Sequence, residues 1–175
     1  NIENFKKAFK EIRPLICFSV KSNSNISLLK EIKKLGLGAD VVSKGELYAS
    51  LKAGINKNKI VFSGVGKTKD EIEYAIKQKI LLINSESLSE VLAIEKAAKK
   101  LNKVVNIGLR LNPDTDAETL KQISTGKSEN KFGVDKKTFV KIINLMKDSK
   151  FLNIKCLSVH IGSQILNHKP YEKML

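Results

Sequence analysis

Short apolar runs recur along this chain at nearly even intervals, and that rhythm restricts the fold more than any other feature. They cover residues 15–20, 38–42, 60–62, 80–83, 104–111 and 154–160. The first five start roughly 20 to 24 residues apart, enough for one strand and one returning helix. The segments between them have helical spacing. Residues 26–35 carry Ile26, Leu29 and Ile32; residues 44–53 carry Leu47 and Leu51, with Gly54 as a stop; residues 69–78 carry Ile72, Ala75 and Ile76. Two more helices are expected at 86–101, after Ser85 as cap, and at 136–147, after Asp135. The step to the sixth run is about twice as long, the excess being a polar loop at 112–131. The runs read as strands buried on both faces. Repeated βα units imply a parallel sheet, either doubly wound or a (β/α)8 barrel. No G-x-G-x-x-G follows the first run, which weakens a dinucleotide-binding reading.

Six strands are too few to close an eight-stranded barrel. The chain starts on a helical segment without Met and stops soon after the sixth run. It therefore reads as a single partial barrel domain, residues 1–175, with open sheet edges that favour aggregation or a partner. The composition is 42% hydrophobic, sufficient for a core, and no apolar run approaches the ~20 residues of a membrane span. Cys17 and Cys156 both lie in apolar runs, as free thiols in a reducing cytoplasm would. His160 and His168 are the only histidines, and no spacing suggests a metal site. The formal charge of +14 invites a nucleic-acid reading. Against it, Arg13 and Arg110 are the only arginines, and the lysines are spread over helical faces without interleaved aromatics.

In parallel α/β folds chemistry gathers at the carboxyl ends of strands. The first run ends in Lys21, where an amine is costly unless it has a task such as Schiff-base chemistry with an aldehyde. The second leads into Asp40 and Glu46, the third into 63–67 (Ser-Gly-Val-Gly-Lys). The fifth holds Arg110 just before Asn112 and Pro113, and the sixth ends in His160, Ile161, Gly162, Ser163 and Gln164. Each has a plainer explanation. Asp40 and Glu46 could cap the helix from Lys44, Arg110 could be a structural ion-pair partner, and His160 a core histidine. Together these explanations need several coincidences on one rim.

The segments VKSNSN (20–25), GADVVSKGELYAS (38–50), RLNP (110–113), ISTGKSENKFG (123–133) and VHIGSQI (159–165) occur in the order found in the fold-type III pyridoxal-phosphate decarboxylases. The chain resembles the barrel domain of that family along nearly its whole length. The last two segments favour the diaminopimelate branch. The resemblance implies an alanine racemase-like (β/α)8 barrel, about six units of which are present, and a C-terminal β-domain that is not. It implies pyridoxal 5'-phosphate as cofactor and meso-2,6-diaminopimelate as substrate, with L-lysine and carbon dioxide as products. A carboxyspermidine-type or other basic amino-acid decarboxylase, or a non-catalytic homologue, is the alternative. Lys21 would anchor the cofactor and His160 would stack on its ring. Ser163 would bind its phosphate beside Gly162, and Arg110 would lie near its phenolic oxygen. Asp40 and Glu46 would form a polar network around Lys21 and His160. Lys131, Phe132 and Gly133 would lie near the interface of a cytoplasmic homodimer with shared active sites. The family's glycine-rich phosphate loop, ring-nitrogen acid and Cys-Glu segment fall beyond Leu175, so the chain alone is expected to be inactive.

Overall fold

The computed structural model describes residues 2–113 and 132–175. The strands are β1 (Cys17–Ser19), β2 (Gly38–Val41), β3 (Ile60–Phe62), β4 (Leu82–Ser85), β5 (Val105–Arg110) and β6 (Leu152–Ser158). The helices are α1 (Ile2–Ala8), α2 (Ile26–Lys34), α3 (Lys44–Lys52), α4 (Lys69–Gln78), α5 (Leu88–Leu101), α6 (Lys136–Met146) and α7 (Lys169–Met174). All strand pairs are parallel, in the order β1-β2-β3-β4-β5-β6. A doubly wound sheet reverses its strand order at a switch point. Here every crossover advances one strand in the same direction, so right-handed connections put successive helices on one face. Accordingly α2 packs on α3, α3 on α4 and α4 on α5. A sheet wound one way is the wall of a barrel.

The two faces of this wall differ. Val41, Ile60, Phe62, Ile83, Ile107 and Leu109 point to the helices and are buried against Leu29, Leu47, Ile72, Ile94 and Ile142. Each such side chain contributes about 1.5–3 kcal/mol by leaving water. The opposite face, carrying Cys17, Asp40, Val61, Ser63, Asn84, Arg110 and Ser158, lines a cavity. The strands are thus not apolar on both faces, as their short runs suggest; inward positions alternate with outward ones along each strand.

Helix starts follow local side-chain chemistry. Asn25, Ser43 and Asp135 accept from backbone N–H groups of α2, α3 and α6. Thr68 and Glu71 form a reciprocal capping box on α4. The cap of α5 is Ser87, whose hydroxyl accepts from Glu90 N–H, not Ser85. Ser85 is fully buried at the end of β4. The strand runs two residues past the apolar stretch because Asn84 and Ser85 find hydrogen-bond partners inside: Asn84 donates to Ser63 and Ser85 to the Ser87 carbonyl.

Candidate active site

On β2, β3 and β4 three polar side chains form a row. Asn84 Nδ2 donates to Ser63 Oγ at 3.1 Å, and Ser63 donates to Asp40 Oδ1 at 2.5 Å. Parallel pairing brings them together: Asp40 lies opposite Val61, and Ile83 opposite Phe62. Burial raises the pKa of Asp40 above its ordinary 3.8, opposed by the Ser63 hydrogen bond and by the charges of Lys21, His160 and Lys67. The other end of the Asn84 amide leans on β5. Its Oδ1 is buried with no hydrogen-bond partner among the described residues, and a Cβ at Gly108 would collide with that oxygen. Gly108 is therefore the residue that lets the amide lie flat between the strands.

On β4, β5 and β6 full charges are paired. Arg110 Nη1 donates to both oxygens of Glu86, at 3.0 and 3.1 Å. Its Nη2 donates to the His160 carbonyl at 3.4 Å, and its guanidinium lies 5.3 Å from the centre of the Phe132 ring. Glu86 is 6% exposed. Its backbone N–H donates to Glu90 Oε2 at 2.7 Å. The other Glu90 oxygen pairs at 3.2 Å with Lys67 Nζ, whose side chain is 1% exposed. Lys67 also donates to the Gly64 and Asn84 carbonyls. Burial lowers the Lys67 pKa from 10.5, and Glu90 resists that shift.

Lys21 sits in a single 3-10 turn, Val20–Ser22, directly after β1. Its side chain is exposed to the cavity mouth rather than trapped at a buried strand end, so its cost of burial is small. The turn is fastened by Ser22 Oγ, which donates to the Ser19 carbonyl. His160 follows β6 by two residues. Burial, then Arg110 and Lys21, hold its imidazole below the ordinary 6.5, so the ring is neutral near pH 7. Burial and Asp40 push the Cys17 thiol up to about 11, which keeps it protonated and unreactive. The cavity these groups share is about 760 Å³ and is also lined by Val42, Gly64 and Ser163, within the usual size range of small-molecule sites.

Lys21, Asp40, Arg110, His160 and Ser163 therefore meet in one cavity. Gly162 stands between Ile161 and Ser163 on the same rim. Glu46 does not line it: its carboxylate accepts from Val42 N–H at 2.9 Å while its own N–H donates to Ser43. That is a helix-start clamp, the plainer of the two expectations. Residues 123–131, with Lys131, lie outside the described residues. Glu86, Asn84 and Lys67 were not among the candidate site residues. The rule that singled out Lys21 and Arg110, polar residues at strand carboxyl ends, also points to the Asn84–Ser85–Glu86 end of β4. Among the described residues no His/Cys/Asp/Glu group is arranged to hold a metal, and no helix is long and apolar enough to cross a membrane.

The model of a family described as "Pyridoxal-dependent decarboxylase, pyridoxal binding domain" matches residues 1–175. The chain is 48% identical over 167 residues to a diaminopimelate decarboxylase of Helicobacter pylori strain J99, covering 95% of this chain and 41% of that protein. It is 43% identical to one from Aquifex aeolicus, covering 98% and 40%. It superposes on the crystal structure of the H. pylori enzyme complexed with L-lysine with a TM-score of 0.96 and 46% identity, over 99% of this chain and 44% of that one. An arginine decarboxylase of Paramecium bursaria Chlorella virus shares the fold at 21% identity, with a TM-score of 0.76 over 97% of this chain and 44% of that one. The chain spans about two fifths of the length of the curated relatives it matches.

Proposed function

The chain belongs to the pyridoxal binding domain family of the pyridoxal-dependent decarboxylases, and from that premise we propose that the protein carrying it decarboxylates meso-2,6-diaminopimelate to L-lysine. The observation that carries this reading is the convergence of Lys21, Asp40, Arg110 and His160 on one cavity at the strand carboxyl ends. The choice of substrate is supported by relatives nearly half identical that bear the name diaminopimelate decarboxylase.

The side chains fit pyridoxal phosphate in kind. An accessible amine, a half-buried carboxylate, a guanidinium and a neutral imidazole surround a space of about 760 Å³. When bound, the cofactor supplies an electron sink for the pair left behind as carbon dioxide departs. Lys21 would be the anchoring nucleophile, its amine accessible at the cavity mouth. His160, neutral and held at its carbonyl by Arg110, offers a flat face that fixes the cofactor plane. Arg110 would offer positive charge to the cofactor's phenolic oxygen. Ser163 provides a hydroxyl for the phosphate, and Gly162 permits close backbone approach. Asp40 keeps negative charge beside Lys21 and His160, steadied by Ser63. Glu46 acts at one remove, holding the turn that carries Val42 into the cavity.

We further assign the chain to the first six units of a (β/α)8 barrel whose full-length protein has a C-terminal β-domain and forms a cytoplasmic homodimer. In that dimer the Phe132–Gly133 stretch lies near shared active sites. The test is to load the full-length protein with pyridoxal phosphate, reduce with borohydride and map the modified peptide. The label should fall on Lys21 and vanish in Lys21→Ala. A label on another lysine in that variant would sink the assignment. Release of carbon dioxide from meso-diaminopimelate, compared with arginine, ornithine and carboxyspermidine, decides the substrate.

A further inference from the structure

We propose that Glu86 is the positioning residue for Arg110, and through it for His160, so that the electrostatics of the cofactor cavity are set by a carboxylate behind the guanidinium. The inference rests on the pyridoxal phosphate reading of the cavity. A guanidinium on a flexible stem has many rotamers, and aiming it takes a partner with two acceptors in its plane. Glu86 supplies both oxygens to Nη1. That leaves Nη2 turned to the His160 carbonyl, with Phe132 on one side of the plane. Glu86 itself is fixed from behind, because its N–H is held by Glu90, which is held by the buried Lys67. The aim of Arg110 is thus determined by a chain that begins on the loop after β3, passes the start of α5 and ends at the segment after β6.

The arrangement also tunes charge. Among the described residues, the charged and titratable groups facing the cavity are Cys17, Lys21, Asp40, Glu86, Arg110 and His160. Without Glu86 the cations outnumber Asp40. A positively charged link at Lys21 would then lose its proton more readily, and a loosened Arg110 would hold the cofactor less well.

The experiment uses full-length protein loaded with pyridoxal phosphate. Four forms are compared: wild type, Glu86→Gln, Arg110→Ala and the double variant. Glu90→Gln, which removes a nearby charge while its amide oxygen can still accept from Glu86 N–H, is a fifth. Two quantities are read: cofactor affinity, and the pH midpoint of the visible absorbance that reports protonation at Lys21. Glu86→Gln should weaken affinity about 10-fold and lower the midpoint by roughly half a unit or more. Both effects should shrink in the Arg110→Ala background, and Glu90→Gln should change the midpoint little. Equal effects of Glu86→Gln with and without Arg110, or a midpoint moved as far by Glu90→Gln, would overturn the proposal. If Glu86→Gln does not fold, Glu86→Asp, which keeps the charge but is too short to reach both contacts, takes its place: affinity should fall, less so in the Arg110→Ala background, while the midpoint stays near that of wild type. A wild-type protein with no absorbance at Lys21 refutes the cofactor reading itself, a result distinct from a wild type that loads normally and a Glu86 variant that matches it.

Discussion

Across β2, β3 and β4 the cavity wall is held by a row of hydrogen bonds with one carboxylate at its end, from Asn84 through Ser63 to Asp40. Across β4, β5 and β6 it is held by full charges, Arg110 paired with Glu86 and backed by Lys67, on the loop after β3, paired with Glu90 of α5. The first wall is adjustable, since a hydroxyl can rotate and a carboxylate can take a proton. The second is stiff. Its charges are nearly out of water, and each one's desolvation is offset only while its partner stays in place. A cavity that must both hold a ring at fixed orientation and move protons has use for one wall of each kind.

The largest way to break this contrast is at the stiff wall's root. Lys67→Met strips the buried ammonium and leaves Glu90 without its cation in a region 9% exposed at the side chain. Breaking a buried pair from one side costs about 3–5 kcal/mol. The second change, Lys67→Met with Glu90→Gln, should return much of that loss, because an amide oxygen can still accept from Glu86 N–H. Denaturant unfolding of the two variants checks this; equal stability would mean that the pair is not coupled. A smaller break tests where the walls lean on each other. Gly108→Ala drives a methyl group into Asn84 Oδ1 and toward Cys156 Cβ. Overpacking of this kind costs about 1–3 kcal/mol. The displaced amide should also release Ser63, visible as a change in the Ser63 hydroxyl environment by NMR.

How much of this was legible beforehand differs between the same two walls. His160 ends an apolar run, and Asp40 and Arg110 lie near the ends of theirs, so a rule about strand ends finds them, and the even spacing of the runs is enough to put those ends on one rim. Glu86 escapes for a physical reason. An acidic residue just ahead of an apolar helical pattern is what the first turn of any helix favours, so its own neighbourhood explains it away. Its partner stands 24 residues further on, a contact fixed by the pairing of β4 with β5. Asn84 escapes because hydropathy ends the fourth strand at Ile83. The structure continues it since the Asn84 amide N–H and the Ser85 hydroxyl find acceptors within the protein. Glu46 shows the opposite case. Ser43 and Glu46 have the spacing of a capping pair, and local chemistry was the better guide there than membership of the rim.

The smallest expected effect is the one that separates the walls most sharply. Ser63→Ala removes the hydroxyl between Asn84 and Asp40 and should cost about 1 kcal/mol near neutral pH. Asp40 already has a pKa raised by burial, with Ser63 working against that rise. Without the hydroxyl the carboxyl should titrate higher still. The sign then follows from linkage. A carboxylic acid whose pKa is higher folded than unfolded favours the folded state below the unfolded value, and that contribution is lost as pH rises through the folded value. Well below pH 3.8, where Asp40 is protonated in both states, its missing hydrogen bond to a charge no longer matters. The stability gap between Ser63→Ala and wild type should therefore be widest at neutral pH and narrow on acidification. Unfolding at several pH values, with the Asp40 carboxyl followed by NMR, measures both. A gap that does not change with pH would show that Ser63 acts by packing alone, and the first wall would then be as rigid as the second.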